Sequence, residues 1–352
     1  MKERILITGS NGYMGNALMY ALKDSAHEIM GVDTGDRSRW VAEVGGASLT
    51  QYPVANYFRL NLQNIGEVVN TLSWFRPTII MHLASQPSGP YSEISYQHRI
   101  GTQVNNLSCL MNLLCAVKDL SLDTRFVVCT TTGVAGAPHG PIEEGQSLNM
   151  AGSCYHVSRG FDSANLQLAS KQWKMKLLEL RTSIVYGTRI NDVPTPITRL
   201  DWDFWFGTVL HRFILAKKTG LPIRIYGKGL QEKPFISLAD CTQSLVNALS
   251  WDIRPGHDIM NQTTHCLSVK TAAELVGGDI QHIPNPRVEN EEYHMVIHNS
   301  KFMKLLGQST PTKDDIVREI TSIGDDMNTD LLPLNWTTAY DGQSRPAIVR
   351  AA

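Results

Sequence analysis

Residues 5–18 read Ile5-Leu-Ile-Thr-Gly-Ser-Asn-Gly-Tyr-Met-Gly-Asn-Ala-Leu18, an apolar run that breaks at Gly9 and then continues as an amphipathic segment. A strand that passes through Gly9, Gly12 and Gly15 into a helix is a seat for the pyrophosphate of a dinucleotide. Gly9 permits the tight turn. Gly12 lets backbone N–H groups approach phosphate without a Cβ in the way, and Gly15 lets the helix lie close on the sheet. The start of the helix, at Tyr13 and Met14, adds N–H donors and a positive partial charge. The spacing is G-x-x-G-x-x-G rather than G-x-G-x-x-G.

Outward from this turn, the second strand, Glu28–Val32, ends in Asp33, eighteen residues after Gly15. A carboxylate there accepts hydrogen bonds from the adenosine ribose and repels a 2′-phosphate, which favours NAD over NADP. Arg37 and Arg39 pull weakly the other way, and a plain turn residue is the alternative for Asp33. Leu60-Asn61-Leu62 closes a third strand, where Asn61 either meets the adenine amino group or is a loop residue. His82-Leu83-Ala84-Ser85 closes a fourth, with small residues against which a cofactor can lie. Asn106, in a long helix, is grouped with the cofactor contacts, although a buried helical Asn usually makes a structural hydrogen bond.

Apolar strand-like runs alternate with amphipathic segments. After residues 5–8, a helix to about Lys23 and the strands ending at Asp33 and Leu60 come Glu67–Phe75 (helix), Pro77–His82 (strand), Val104–Leu120 (helix) and Arg125–Thr130 (strand). This alternation predicts an α/β fold, a Rossmann-type doubly wound parallel sheet. The expected cofactor domain is 1–187 plus about 235–262, with the stretch Phe235–Met260 returning to the main sheet. A smaller C-terminal α/β substrate domain takes about 188–234 plus 263–327, and 328–352 is a tail. The 352 residues, 42% hydrophobic and 18% charged, suffice for such a core. A net charge of −1 gives no electrostatic footprint for nucleic acid or acidic membrane. Six cysteines without a C-x-x-C pair, no apolar run of membrane-spanning length and a strand at the very N-terminus lead to an expected cytoplasmic location, and no metal site is expected.

A second constellation follows. Thr130-Thr131-Thr132 ends a strand, and Tyr155-His-Val-Ser-Arg159 opens a helix. Oxidising a carbinol needs a base for the hydroxyl proton. A phenol serves when a cation one helical turn away lowers its pKa. Thr131 can orient the substrate oxygen. A helix-surface contact is the commoner meaning of a lone Tyr–Arg pair.

The glycine triplet, Asp33, the Thr strand and the Tyr-x-x-x-cation helix together resemble the extended short-chain dehydrogenases/reductases, in the NAD-dependent nucleotide-sugar epimerase/dehydratase family, over about residues 1–325. Substrate-side loops resemble its sulfoquinovose-forming branch: Gln86-Pro-Ser-Gly-Pro-Tyr-Ser92, Ile142-Glu-Glu-Gly145, Tyr155-His-Val-Ser158, Asp201-Trp-Asp-Phe-Trp-Phe-Gly-Thr208, Tyr226-Gly-Lys-Gly229 and Asn285-Pro-Arg-Val-Glu289. The resemblance implies an NAD-dependent enzyme acting on a nucleotide sugar, UDP-glucose-like, with sulfite as a second partner. It also implies a homodimer through a four-helix bundle near 104–120 and 155–172.

Three departures qualify the resemblance. The family Lys is Arg159, still cationic but planar and unable to give up its proton. The dehydratase Asp-Glu pair after the Thr is missing, and the sulfoquinovose branch has a Glu where this chain has Val134. The family's late Arg is Lys233. These departures keep a simple epimerase open, and beyond it a catalytically silent NAD-binding protein. His156 is either a structural histidine or an acid–base group at the sugar C6. Glu143 or Glu144 either is solvated or folds over the site as a replacement acid. Arg287, Lys233 and Arg212 are candidates for the diphosphate; Gln86, Ser88, Tyr91, Thr131 and Thr132 are candidates for the hexose; Trp202, Phe204, Trp205 and Phe206 form either a wall near it or the core of the smaller domain.

Overall fold

The computed structural model describes residues 2–43, 57–136, 140–145, 148–149, 152–195, 205–285 and 291–332. In chain order the elements are β1 (Arg4–Thr8), α1 (Tyr13–Ala21), β2 (Glu28–Asp33), α2 (Arg37–Glu43), β3 (Phe58–Arg59), α3 (Ile65–Phe75), β4 (Ile79–His82), α4 (Gly89–Ser92), α5 (Tyr96–Asp119), β5 (Arg125–Cys129), a 3-10 turn (Thr132–Ala135), α6 (Cys154–Trp173) and β6 (Lys176–Thr182). Then come β7 (Ile184–Tyr186), β8 (Arg189–Ile190), β9 (Val193–Pro194), α7 (Val209–Lys218), β10 (Ile223–Tyr226), β11 (Glu232–Ser237), α8 (Leu238–Ala248), β12 (Gly256–Gln262), β13 (His265–Ser268), α9 (Val269–Val276), β14 (Ile280–Ile283), α10 (Ser300–Leu306) and α11 (Lys313–Asp326).

Among the described residues the main sheet has seven parallel strands in the order β12-β6-β5-β4-β1-β2-β3. Period-two alternation divides its side chains between two cores. Ile5, Ile7, Ile79, Met81, Val127 and Leu178 point to the face covered by α1, α8 and α10. Leu6, Ile80, Phe126, Val128 and Leu177 point to the face covered by α3, α5 and α6. Fully apolar strands such as Ile5-Leu-Ile7 are therefore buried on both sides, as a parallel sheet requires. The strand order reverses beside β1, so Gly9, Asp33, His82 and Thr130 meet at one edge of the sheet, where such folds bind ligands.

A third core joins Tyr186 to α7, β10, α9 and α11. It is framed by two small sheets, β13-β11-β7 and β10-β14. The stretch expected to return to the main sheet is divided. β11 pairs with β7 and β13 in a small sheet, and β12 enters the main one. The helix expected from Val104 begins at Tyr96, because its first two turns, Tyr96-Gln-His-Arg-Ile-Gly-Thr-Gln103, are too polar to show a stripe. From the tail, Leu331 and Leu332 pack on the third core, and 333–352 lie outside the described residues. No described helix is long and apolar enough to cross a membrane.

Candidate active site

The β1–α1 turn leaves no room for side chains. A Cβ on Gly9, which has φ +71°, would lie 2.7 Å from the Ala84 nitrogen, and one on Gly15 would lie 2.1 Å from the Gly9 carbonyl oxygen. Both glycines are therefore obligatory for the close approach of backbone to backbone. No acidic residue occupies the first turn of α1 to oppose a phosphate. The side chains of Tyr13 and Met14 turn into the protein: the Tyr13 hydroxyl donates to the Gly187 carbonyl, and Met14 packs on the first core. What these two residues present to a ligand is main-chain N–H.

Asp33 stands at the end of β2 with one oxygen accepting from Gly35 N (2.7 Å) and the other from Asn11 N (3.0 Å). Burial raises its pKa, against the lowering effect of those bonds. The carboxylate keeps acceptor capacity for a ribose hydroxyl. Leu83 N bonds Thr8 O at 3.1 Å, and Ala84 N bonds Thr8 Oγ1 at 3.3 Å, so β4 and β1 end as one unit, with Ser85 half-buried beyond it. Asn61 is exposed, its amide oxygen turned to Gln63 N, while Leu62 is core. Asn106 is wholly buried. It bridges Gln86 to Ser158 Oγ (2.9 Å) in α6, which is the structural role of a helical Asn.

Helix α6 is held at its start by two acceptors. Glu93 accepts from Cys154 N at 2.6 Å, and Ser92 Oγ accepts from Tyr155 N at 3.2 Å. Tyr155 is half-buried in the first turn, its ring 5.2 Å from that of His156. Thr131 caps the turn at 132–135 by accepting from Gly133 N (3.1 Å), and Thr132 is buried within it. His156 is held in a cradle of glycines: a Cβ on Gly133, Gly152 or Gly89 would meet its ring at 2.3, 2.8 or 3.4 Å. Its Nδ1 bonds Ser153 Oγ at 2.9 Å. Burial, with the charge of Lys233 adding to it, pushes its pKa down to about 4, so the imidazole is neutral near pH 7.

Arg159 turns away from the surface. Its guanidinium pairs with Asp162 at 2.7 Å and donates to the Cys129 carbonyl at the end of β5. Neighbouring His82, pushed down to about 3 by burial and then by Arg159, shares Nδ1 with Thr8 Oγ1 at 2.9 Å.

The substrate side differs from the sequence expectation. Gln86 is buried and bonds Thr102 Oγ1 (2.8 Å) and both the carbonyl and N–H of Ser88. Ser88 Oγ caps α4 and donates to the Trp205 carbonyl. The Tyr91 hydroxyl donates to Glu43 at 2.7 Å, and its ring packs 5.0 Å from Phe206; burial, then Glu43, raises its pKa. These groups are engaged within the protein because neighbouring donors and acceptors satisfy them. Trp205 and Phe206 join the same small cluster. Lys233 on β11 and Arg212 on α7 are half-buried. Arg287, Trp202 and Phe204 lie outside the described residues. Neither loop acid folds over the turn after the Thr strand. Glu144 accepts from Lys301 N (2.8 Å) and Phe302 N (3.0 Å) at the start of α10, and Glu143 pairs with His298 at 2.7 Å on the surface.

A model described as the NAD dependent epimerase/dehydratase family matches residues 5–261. The chain belongs to that family. UDP-sulfoquinovose synthase from spinach chloroplasts is 30% identical, covering 86% of this chain and 71% of the relative. The UDP-sulfoquinovose synthase of Sulfolobus acidocaldarius is 29% identical, covering 83% and 84%. The fold matches the crystal structure of a Thermotoga maritima UDP-glucose 4-epimerase with a TM-score of 0.73 at 16% identity, over 93% of this chain and 99% of the other. The chain is thus an NAD-dependent enzyme. The cramped glycine turn and the Asp33 carboxylate fit that cofactor. When bound, NAD supplies a reversible hydride acceptor.

Two residues were missed in the sequence. Glu179, the lone acid in Leu177-Leu-Glu-Leu180, accepts from Thr130 Oγ1 (2.7 Å), Ser163 Oγ (2.7 Å), Arg181 Nε (3.2 Å) and His257 Nε2 (2.8 Å). An acid inside an apolar strand was the signal. Asp162 follows Arg159 by three residues, a helical ion-pair spacing.

Proposed function

We propose that this family member remodels a UDP-glucose-like nucleotide sugar by transient oxidation at C4, a change in the keto intermediate and return of the hydride, as a UDP-sulfoquinovose synthase. The observation that carries the reading is the similarity to two such synthases, from a plant and an archaeon, along most of the chain. In this reading Tyr155 takes the C4 hydroxyl proton, Thr131 orients that oxygen, and the backbone at Gly9–Gly15 with Asp33 holds the dinucleotide. His156, neutral in its glycine cradle, serves proton transfer near C5 and C6. Lys233, Arg212 and Arg287 meet the diphosphate. Water lost across C5–C6 is replaced by sulfite at C6, so UDP-glucose and sulfite give UDP-sulfoquinovose and water.

The test is incubation of the purified protein with UDP-glucose, with and without sulfite, and mass analysis of the product. A sulfonated nucleotide sugar formed only with sulfite is expected, and Tyr155→Phe should abolish it while NAD still binds. One observation favours a second reading. Val134 is fully buried where the sulfoquinovose branch has Glu, and Glu143 and Glu144 are engaged elsewhere. Simple epimerisation needs no such acid, and UDP-galactose as product would select it.

The enzyme also acts as a homodimer in this reading. Tyr96, Ile100 and Val104 on α5, and Phe161 and Leu168 on α6, are large exposed apolar side chains on adjacent helices. A second copy meeting this face would form a four-helix bundle.

A further inference from the structure

Arg159 is 1% exposed and Asp162 is 0% exposed, with Nη1 and Oδ2 2.7 Å apart. Among the described residues neither Asp162 oxygen takes a hydrogen bond and Arg159 Nε meets no acceptor. The titratable groups around the pair come from four elements. His82 on β4 is pushed down to about 3, and the thiols of Cys109 on α5 and Cys129 on β5 are pushed up to about 12 by burial, so all three are neutral. Glu179 on β6 is charged but is matched by Arg181 and bonded to His257 of β12. Arg159 and Asp162 therefore face each other with Glu179 as a further anion acting on Asp162. Burial raises the Asp162 carboxyl to about 7 against the pull of Arg159, so that it is ionised in the range where a phenol titrates.

An unpaired guanidinium within about 4 to 6 Å of a phenol lowers the phenol pKa by about 1 to 3 units. A guanidinium with a carboxylate 2.7 Å away acts at a distance as a dipole, and its pull is largely cancelled. The exchange of the family's Lys for Arg leaves a cation that cannot shed its proton, so charge can be removed here only by a partner.

We propose that Asp162 is a positioning residue of the proton-handling pair: it holds the Arg159 guanidinium beneath the ends of β4 and β5 and, by neutralising it, sets how strongly Arg159 acts on the Tyr155 phenol. This rests on the reading of Tyr155 and Arg159 as the family's Tyr-x-x-x-cation pair. The carboxylate acts through Arg159 and touches neither sugar nor cofactor.

The test is a pH titration of the full-length protein with NAD added, labelled with 13C at tyrosine Cζ and followed by NMR. The Tyr155 resonance is identified by its loss in Tyr155→Phe. Asp162→Asn should move the Tyr155 titration down by about one unit, while Asp162→Glu, which keeps the charge, should leave it in place. A merely structural role would move both variants alike or neither, and either result overturns the proposal. Should Asp162→Asn fail to fold, Arg159→Met decides. Without Arg159 the buried Asp162 carboxyl takes up a proton, so the net charge of the site is unchanged and Tyr155 should rise by less than about half a unit; a rise of about two units would reveal an uncompensated cation and reject the idea. None of these readouts needs turnover. If UDP-glucose is left unprocessed, the sugar reading falls and the titration result stands by itself.

Discussion

Arg159–Asp162 on α6 and Arg181–Glu179 on β6 are both fully buried arginine–carboxylate pairs, close to the same helix, and they behave in opposite ways. Burial raises the Asp162 pKa to about 7, and Arg159 only partly offsets it. Burial would raise Glu179 as well. There the His257 hydrogen bond, the Arg181 charge and the Thr130 hydroxyl overcome it and hold the carboxyl at about 2. The contrast teaches that a buried guanidinium does not by itself make a carboxylate comfortable. The hydrogen bonds made to the remaining lone pairs decide it.

The largest effects should come from the two buried acids, beginning with the well-bonded one. Glu179→Gln is expected to cost about 3 kcal/mol in urea unfolding at pH 7, since it removes the carboxylate that balances the buried Arg181 charge. Glu179 has a lowered pKa, so its contribution is complete above about 4.5 and disappears as pH falls through about 2. Asp162 has the opposite sign. Its raised pKa means a contribution complete below about 3.8 and lost as pH rises through about 7. Asp162→Asn does not titrate, so between pH 4 and 8 the wild type should lose stability relative to that variant, by an amount comparable to the Glu179→Gln cost, roughly 3 to 4 kcal/mol. A parallel pH slope in the two proteins would erase the comparison. Thr130→Val should cost about 1 kcal/mol, and much less in a Glu179→Gln background, as a double-mutant cycle would show. Smallest is His257→Gln, about 0.5 kcal/mol in thermal unfolding, because an amide can donate in place of the imidazole.

The legible part of the sequence was that which depends on local backbone chemistry. Gly9 and Gly15 announce a close approach that no other residue allows. Apolar runs such as Ile5-Leu-Ile7 announce a strand covered on both faces. Asp33 follows as the last residue of such a strand. The substrate side was harder, because a hydroxyl or amide meant for a sugar is chemically the same as one that serves the protein. Ser88 finds the Trp205 carbonyl 117 residues away, and Tyr91 finds Glu43 across 48 residues. Neither pairing leaves a mark in the local pattern. Arg159 could be read as a cation, but its direction depended on Asp162 and on a strand-end carbonyl. The polar start of α5 hid two turns of helix for a related reason, since its first residues carry no apolar stripe.

The Tyr13 hydroxyl reaches the carbonyl of Gly187, 174 residues later, and Gly187 N in turn donates to His211 Nε2 at 3.3 Å. The opening turn therefore cannot be completed in the order in which the ribosome writes it. Its floor arrives with Ala84, its clasp with Gly187, and the ring behind that clasp with His211. A nascent chain must keep an apolar strand and an open glycine bend unfinished while more than half of the polypeptide is still being made.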